Sequence, residues 1–186
     1  NVDLKNNRKN TWGTGLIFNH EIDSIQNVTV AAGFTRQISE NANKTAYYSN
    51  AYALGLAYNF VHTTYGLDLA HKDTKNKGGA GNKVKNNEVT AVIRQGLNED
   101  WNVYAMYSYK TEKTLPVGSA YSKSTDRQFL VGTEYYVFKQ GSVKVKPFIE
   151  WQATRTKYEN TFDKDSGKQL DRSRDFKTVI GLRAYW

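Results

Sequence analysis

The ten residues Ala51-Tyr52-Ala53-Leu54-Gly55-Leu56-Ala57-Tyr58-Asn59-Phe60 alternate without a break between a large apolar or aromatic side chain and a small or polar one. Successive side chains of a strand point to opposite faces, so this run has two faces of different chemistry. Tyr52, Leu54, Leu56, Tyr58 and Phe60 share one; Ala51, Ala53, Gly55, Ala57 and Asn59 share the other. A helix would scatter both sets around its axis.

The same period of two recurs over residues 12–20, 28–35, 65–70, 89–94, 101–110, 128–137, 144–153 and 176–186. With 51–60 that predicts nine strands, several of roughly ten residues, where globular strands usually run about five or six. Val2 and Leu4 read as the tail of a truncated N-terminal strand, making about ten, or the chain is the C-terminal part of a larger barrel. Connections alternate in length as well. Short turns are expected near 23–26, 61–64, 98–100 and 139–142, and long polar loops near 40–45, 73–87, 112–125 and 157–174. A meander with short turns at one end and long loops at the other predicts an all-β, antiparallel up-and-down barrel, one domain over residues 1–186.

Composition narrows the class. At 186 residues and 39% hydrophobic content the chain can bury one core, and aromatics at 13% argue against disorder despite a mean hydropathy of −0.70. There is no cysteine, so disulfide scaffolds and thiolate metal sites are excluded. No window of eighteen apolar residues is present, which excludes a spanning helix but not a transmembrane barrel, whose apolar residues hide in alternate positions.

The two faces decide between a soluble barrel and a membrane one. A lipocalin-like barrel points its apolar side chains inward. Here the apolar face carries Leu, Val, Ile and large aromatics. The other face combines Gly, Ala, Ser and Thr with mid-strand charges, for which a dry core would impose a heavy desolvation cost. A water-filled lumen accommodates them, and the expected lining is Asp68, Arg94, Lys110, Glu134, Lys144, Lys146, Glu150, Lys177 and Arg183. Aromatics crowd strand ends at Trp12, Tyr48, Phe60, Tyr65, Trp101, Tyr109, Tyr135 and Trp186, as interfacial girdles require. The competing reading is a soluble antiparallel sandwich with a solvated polar face.

The end of the chain, Gly181-Leu182-Arg183-Ala184-Tyr185-Trp186, resembles the C-terminal assembly signal of bacterial outer-membrane β-barrel proteins. Gly181 and the terminal aromatic Trp186 match that pattern; Ala184 is smaller than the usual residue. The general likeness is to monomeric porins of the OmpG type and to barrel translocator domains. The resemblance implies a bacterial outer-membrane location and recognition of the last strand by the barrel assembly machinery. It also implies contact with outer-membrane lipid and lipopolysaccharide, and an oligomer partner or a further chain segment to complete a strand set that is otherwise odd.

Chemistry-bearing clusters are scarce. His20 and His71 fall on the apolar phase near strand ends and His62 in a short turn, so no metal or catalytic role, no cofactor and no enzyme activity is expected. Gly78-Gly79-Ala80-Gly81 lacks the Lys-Ser/Thr of a phosphate loop. The formal charge of +8 is spread among loops and lumen rather than gathered in a stripe, against nucleic-acid binding. Lys72, Lys75, Lys77, Lys83 and Lys85 form a basic loop that could meet anionic lipopolysaccharide or simply be solvated. The expected function is a passive channel for small hydrophilic or anionic solutes. Alternatives are a translocator barrel for another polypeptide and a surface-binding barrel. Finally, Gly141 predicts a three-residue loop over 139–141, with Phe138 opposite Ser142 and Glu134 opposite Lys146.

Overall fold

The computed structural model describes residues 7–40, 46–76, 83–116, 121–162 and 167–186. Ten strands form one antiparallel sheet: β1 (Asn7–Asp23), β2 (Gln26–Glu40), β3 (Ala46–Phe60), β4 (Thr63–Asn76), β5 (Lys83–Gly96), β6 (Trp101–Leu115), β7 (Ser122–Tyr135), β8 (Phe138–Gln140), β9 (Val143–Glu159) and β10 (Arg172–Tyr185). Nine are long, as the alternation predicts. The tenth is the three-residue β8, which pairs with β9; the stub expected at Val2 and Leu4 lies outside the described residues. Each long strand pairs with its sequence neighbour in an up-and-down meander, β7 passing to β9. Among the described residues the sheet is not closed, and β1 and β10 are its two edges.

Register keeps the two faces continuous from edge to edge. One row of directly opposed residues runs Phe18, Val30, Leu56, Leu67, Ala91, Tyr107, Phe129, Ala153, Phe176 across all nine long strands. On the other face the neighbouring row runs Ile17, Ala31, Gly55, Asp68, Thr90, Ser108, Gln128, Thr154, Asp175. Apart from Ile17 on the edge strand, the second row is small or polar throughout. Among the described residues no hydrophobic side chain is buried, whereas Ser108, Thr125, Glu134 and Lys146 are. Leu16 and Ile180 are 79% and 78% exposed. A water-soluble fold buries these groups the other way round.

Strands run well past the apolar band. The segments expected as long loops near 73–87 and 112–125 are largely paired: Asp73 lies opposite Lys85, and Glu112 opposite both Asn86 and Ser124. Backbone hydrogen bonding continues where both faces have become polar. The turn after β8 also differs from expectation. Gln140 pairs with Val143 around a two-residue turn, Gly141-Ser142, and Gly141 at its first position has φ +58°. That is the type II′ arrangement, whose twist matches the flanking strands and which wants glycine there. Between Glu134↔Phe148 and Phe138↔Val145 the β7–β8 side takes four steps against three on β9, a one-residue bulge at Tyr136–Val137. The combined effect moves β7 by two residues from the expected register. Glu134 is therefore opposite Phe148, with Lys146 its diagonal neighbour on the same face.

Candidate functional site

Five of the nine charges expected on the polar face converge at the short-turn end of β5–β10. Glu134 on β7, only 4% exposed, accepts from three cations. Arg94 Nη2 of β5 lies 2.6 Å from its Oε1, Lys146 Nζ of β9 lies 2.8 Å from the same oxygen, and Arg183 Nη1 of β10 lies 2.8 Å from Oε2. The second nitrogen of Arg183 donates to Glu150 Oε1 at 2.7 Å, which also accepts the Tyr104 hydroxyl at 2.6 Å. Arg183 thus bridges two carboxylates with its fork, a geometry a lysine could not reproduce. The network joins three cations to two anions.

Rings pack this cluster from the same face. Arg183 lies 4.0 Å over the Phe148 ring, and Lys146 lies 5.0 Å from the Tyr136 centroid and 5.3 Å from that of Tyr185. Two glycines make room. A Cβ on Gly132 would sit 2.5 Å from the Tyr104 ring, and one on Gly181 would sit 2.5 Å from the Phe148 ring. Both are direct cross-strand pairs, so each ring lies flat across the strand beside it. Gly181 therefore has a packing role here, whatever reads the end of the chain. Sequence reasoning did not single out Tyr104, Tyr136 or Phe148. The available signal was an aromatic residue in the polar phase, which needs a small neighbour across the ladder.

The other four expected lining residues stand apart. Asp68 projects beside Gly55, Lys110 sits in register between Glu88 and Asp126, and Lys177 lies opposite Gln152. Lys144, opposite Tyr185 and Lys139, is exposed past the end of the cluster. All four share the polar face by register.

On the apolar face the aromatics form two belts. At the turn end Tyr58 and Tyr65 stack at 6.2 Å, Phe60 ends β3, and Trp101 pairs with Tyr135 while donating to Thr133 Oγ1 at 2.6 Å. At the loop end Trp12, Phe34, Tyr52 and His71 follow one another at centroid separations of 5.1, 4.9 and 6.2 Å, and Tyr109 continues the belt on β6. Trp101 to Tyr109 is nine residues inclusive, within the roughly 9–11 that a tilted strand needs to cross a hydrocarbon core. Ala184 lies on this face opposite Val145, and Trp186 is 90% exposed beyond β10.

His71 binds Asn87 at 2.6 Å and lies 3.5 Å from Asp73. Among the described residues no three His, Cys, Asp or Glu side chains converge as a metal would need. Lys77 and residues 78–81 lie outside the described residues. Comparison of the chain with protein-family models, with curated protein sequences and with solved structures returns no match.

Proposed function

We propose that the sheet curls into an outer-membrane barrel with its apolar face in lipid and its polar face around a wet lumen, through which small hydrophilic solutes diffuse. The observation that carries this reading is the inverted burial: exposed Leu, Ile and aromatic side chains on one continuous face, and buried side chains that are all polar. The charge network then narrows the lumen at the turn end and acts as an electrostatic filter. Its balance of three cations to two anions favours weak anion preference at that constriction, while further along the polar face Lys110 sits between Glu88 and Asp126, and Asp175 adds to Asp68. The Gly181–Trp186 end would serve the assembly machinery.

Unpaired edges are not tolerated in hydrocarbon, so β1 and β10 must be satisfied. Both strands run from the loop end to the turn end, because nine long strands separate them by an even number of reversals. Direct closure would pair them in parallel. A ring of copies inserted the same way up would also join β10 to β1 in parallel. An all-antiparallel barrel takes an odd number of further strands between them, which favours a further chain segment over an oligomer.

The test is single-channel recording of the purified chain in planar bilayers under a KCl gradient. An ohmic pore with a reversal potential on the anion side is expected, and Arg94→Glu with Arg183→Glu should move it towards cations. Silence at all voltages from chains shown to be inserted as closed barrels would refute the open channel and leave a plugged or ligand-binding barrel.

A further inference from the structure

Beyond the apolar band, towards the loop end, the outward face changes character on three adjacent strands. Arg127 of β7 stands directly opposite Arg155 of β9, which stands directly opposite Arg174 of β10. One row further out, Lys157 stands opposite Arg172. All five are exposed, and Lys123 joins them on β7. Register puts these residues on the lipid-facing side, two positions beyond the row of Tyr107, Phe129, Ala153 and Phe176 and level with the belt residue Tyr109. Like charges placed directly across a ladder destabilise it. Among the described residues the patch holds little to offset them. Glu159 lies 3.8 Å from Lys123 and 3.7 Å from Lys157, and Asp171 lies 3.7 Å from Arg172 Nε. Arg127 has the Tyr109 ring at 6.0 Å. The carboxylates next in sequence, Asp126 and Asp175, register on the polar face.

Elsewhere at this height the outward face is mixed: on β4 and β5 Asp73 lies between His71 and Lys83. The row of Lys123 continues through Lys113 on β6 and Lys85 on β5 to Asp73 on β4. The cluster of directly opposed arginines lies on β7, β9 and β10. It encloses a cavity of about 310 Å³ lined by Lys123, Arg127, Arg155, Lys157, Arg172 and Tyr109, with Thr125 and Glu159.

We infer that this arginine row is a binding site for the phosphate groups of an anionic membrane lipid, which supplies counter-charge beyond that of Glu159 and Asp171. The inference rests on the membrane reading above. Guanidinium forks suit phosphate oxygens bidentately, and the patch lies where headgroups meet the aromatic belt. A headgroup held there would have its acyl chains beside Tyr107, Phe129 and Phe176. The site is distinct from the Lys72–Lys85 region, where Asp73 lies 3.8 Å from Lys83 and directly opposite Lys85.

The experiment uses the full chain refolded in phosphatidylcholine vesicles with and without a diphosphorylated lipid A, comparing the wild type, Arg127→Gln/Arg155→Gln/Arg174→Gln, and Lys72→Gln/Lys75→Gln/Lys85→Gln. Insertion is read separately by quenching of tryptophan with brominated acyl chains. The arginine variant should insert normally and bind the phosphorylated lipid about a hundredfold more weakly, about fivefold for each charge removed near the surface. The lysine variant should lose less than the arginine variant despite the same change in charge. In pure phosphatidylcholine the arginine variant should be at least as stable as wild type, because repulsion has been relieved. Equal losses in the two variants, with normal insertion, would overturn the site alone. Displacement of the lipid by an equal concentration of inorganic phosphate would reassign it as a general anion site and overturn the lipid inference. Failure of the wild type to insert would overturn this inference and the membrane reading together.

Discussion

Replacing Glu134 by Gln should be among the most destabilising polar substitutions available in this chain. The carboxylate is 4% exposed and holds three cations within 2.8 Å, but the three are not equivalent. Arg94 and Arg183 are 43% and 35% exposed and can turn to water, and Arg183 keeps Glu150. Their pairings with Glu134 are therefore worth about 1 kcal/mol or less each. Lys146 is the exception. Its side chain is 6% exposed and Glu134 is its only carboxylate partner among the described residues. Breaking a buried pair from one side leaves an uncompensated charge at about 3–5 kcal/mol. The rings of Tyr136 and Tyr185 recover about 1 kcal/mol of that through cation–π attraction. The expected net loss is about 3 kcal/mol, or roughly 1.5 M in urea midpoint for a slope of about 2 kcal/mol per M. Reversible urea unfolding of the refolded chain in phosphatidylcholine vesicles, followed by tryptophan fluorescence, measures it. Arg94→Gln should cost under about 1 kcal/mol, and adding Lys146→Met to Glu134→Gln should restore most of the loss. A Glu134→Gln variant no less stable than Arg94→Gln would refute the reasoning, since Lys146 would then be solvated rather than held.

Three further sets of substitutions address the faces and the backbone. Arginine at Leu56 should cost roughly 2–4 kcal/mol if it lies near the bilayer midplane, and arginine at Ala53 much less, because register puts Ala53 on the polar face; equal costs in a bilayer refolding titration would contradict the facing. Ala at Gly132 or Gly181 should cost about 1–3 kcal/mol by driving a methyl group into the Tyr104 or Phe148 ring, and Tyr104→Leu should relieve the first. Val61, a β-branched residue at φ 54° in the β3–β4 turn, should gain about 1 kcal/mol when replaced by Asn; an unchanged midpoint would show the turn to be relaxed.

What the sequence conveyed well was parity. A residue's face depends only on whether it stands at an odd or even step along its strand, and the contrast between the two faces marks most positions inside the apolar band. The faces around Ala51–Phe60 and along the other long strands follow from this alone. Two features escaped it for physical reasons. Beyond the band both faces carry polar side chains, so Asp73, Lys85 and Glu112 look like loop although their backbones remain paired. Short β8, set apart from β7 by the Tyr136–Val137 bulge, has no hydrophobic signature and was not foreseen, while the strand expected at Val2 and Leu4 lies outside the described residues.

The charge network shows the same division at the level of a site. Glu134 and Lys146 were expected as direct partners from a three-residue loop and are joined instead on the diagonal, at 2.8 Å. The tight turn and the bulge together displace the register by two residues, an even number, and an even displacement cannot change which face a side chain occupies. A displacement by one would have sent Lys146 to the apolar face, at a cost far above the roughly 0.2–1 kcal/mol of any cross-strand pair. The register therefore needs to be right only modulo two for the cluster to assemble. Within that freedom its details were set by groups that alternation does not weigh: Gly141 in its turn, and Phe148 lying over Gly181 with Arg183 upon it. Charges on the polar face could be listed from the sequence one strand at a time. Which of them met depended on where two rings found glycines to lie against.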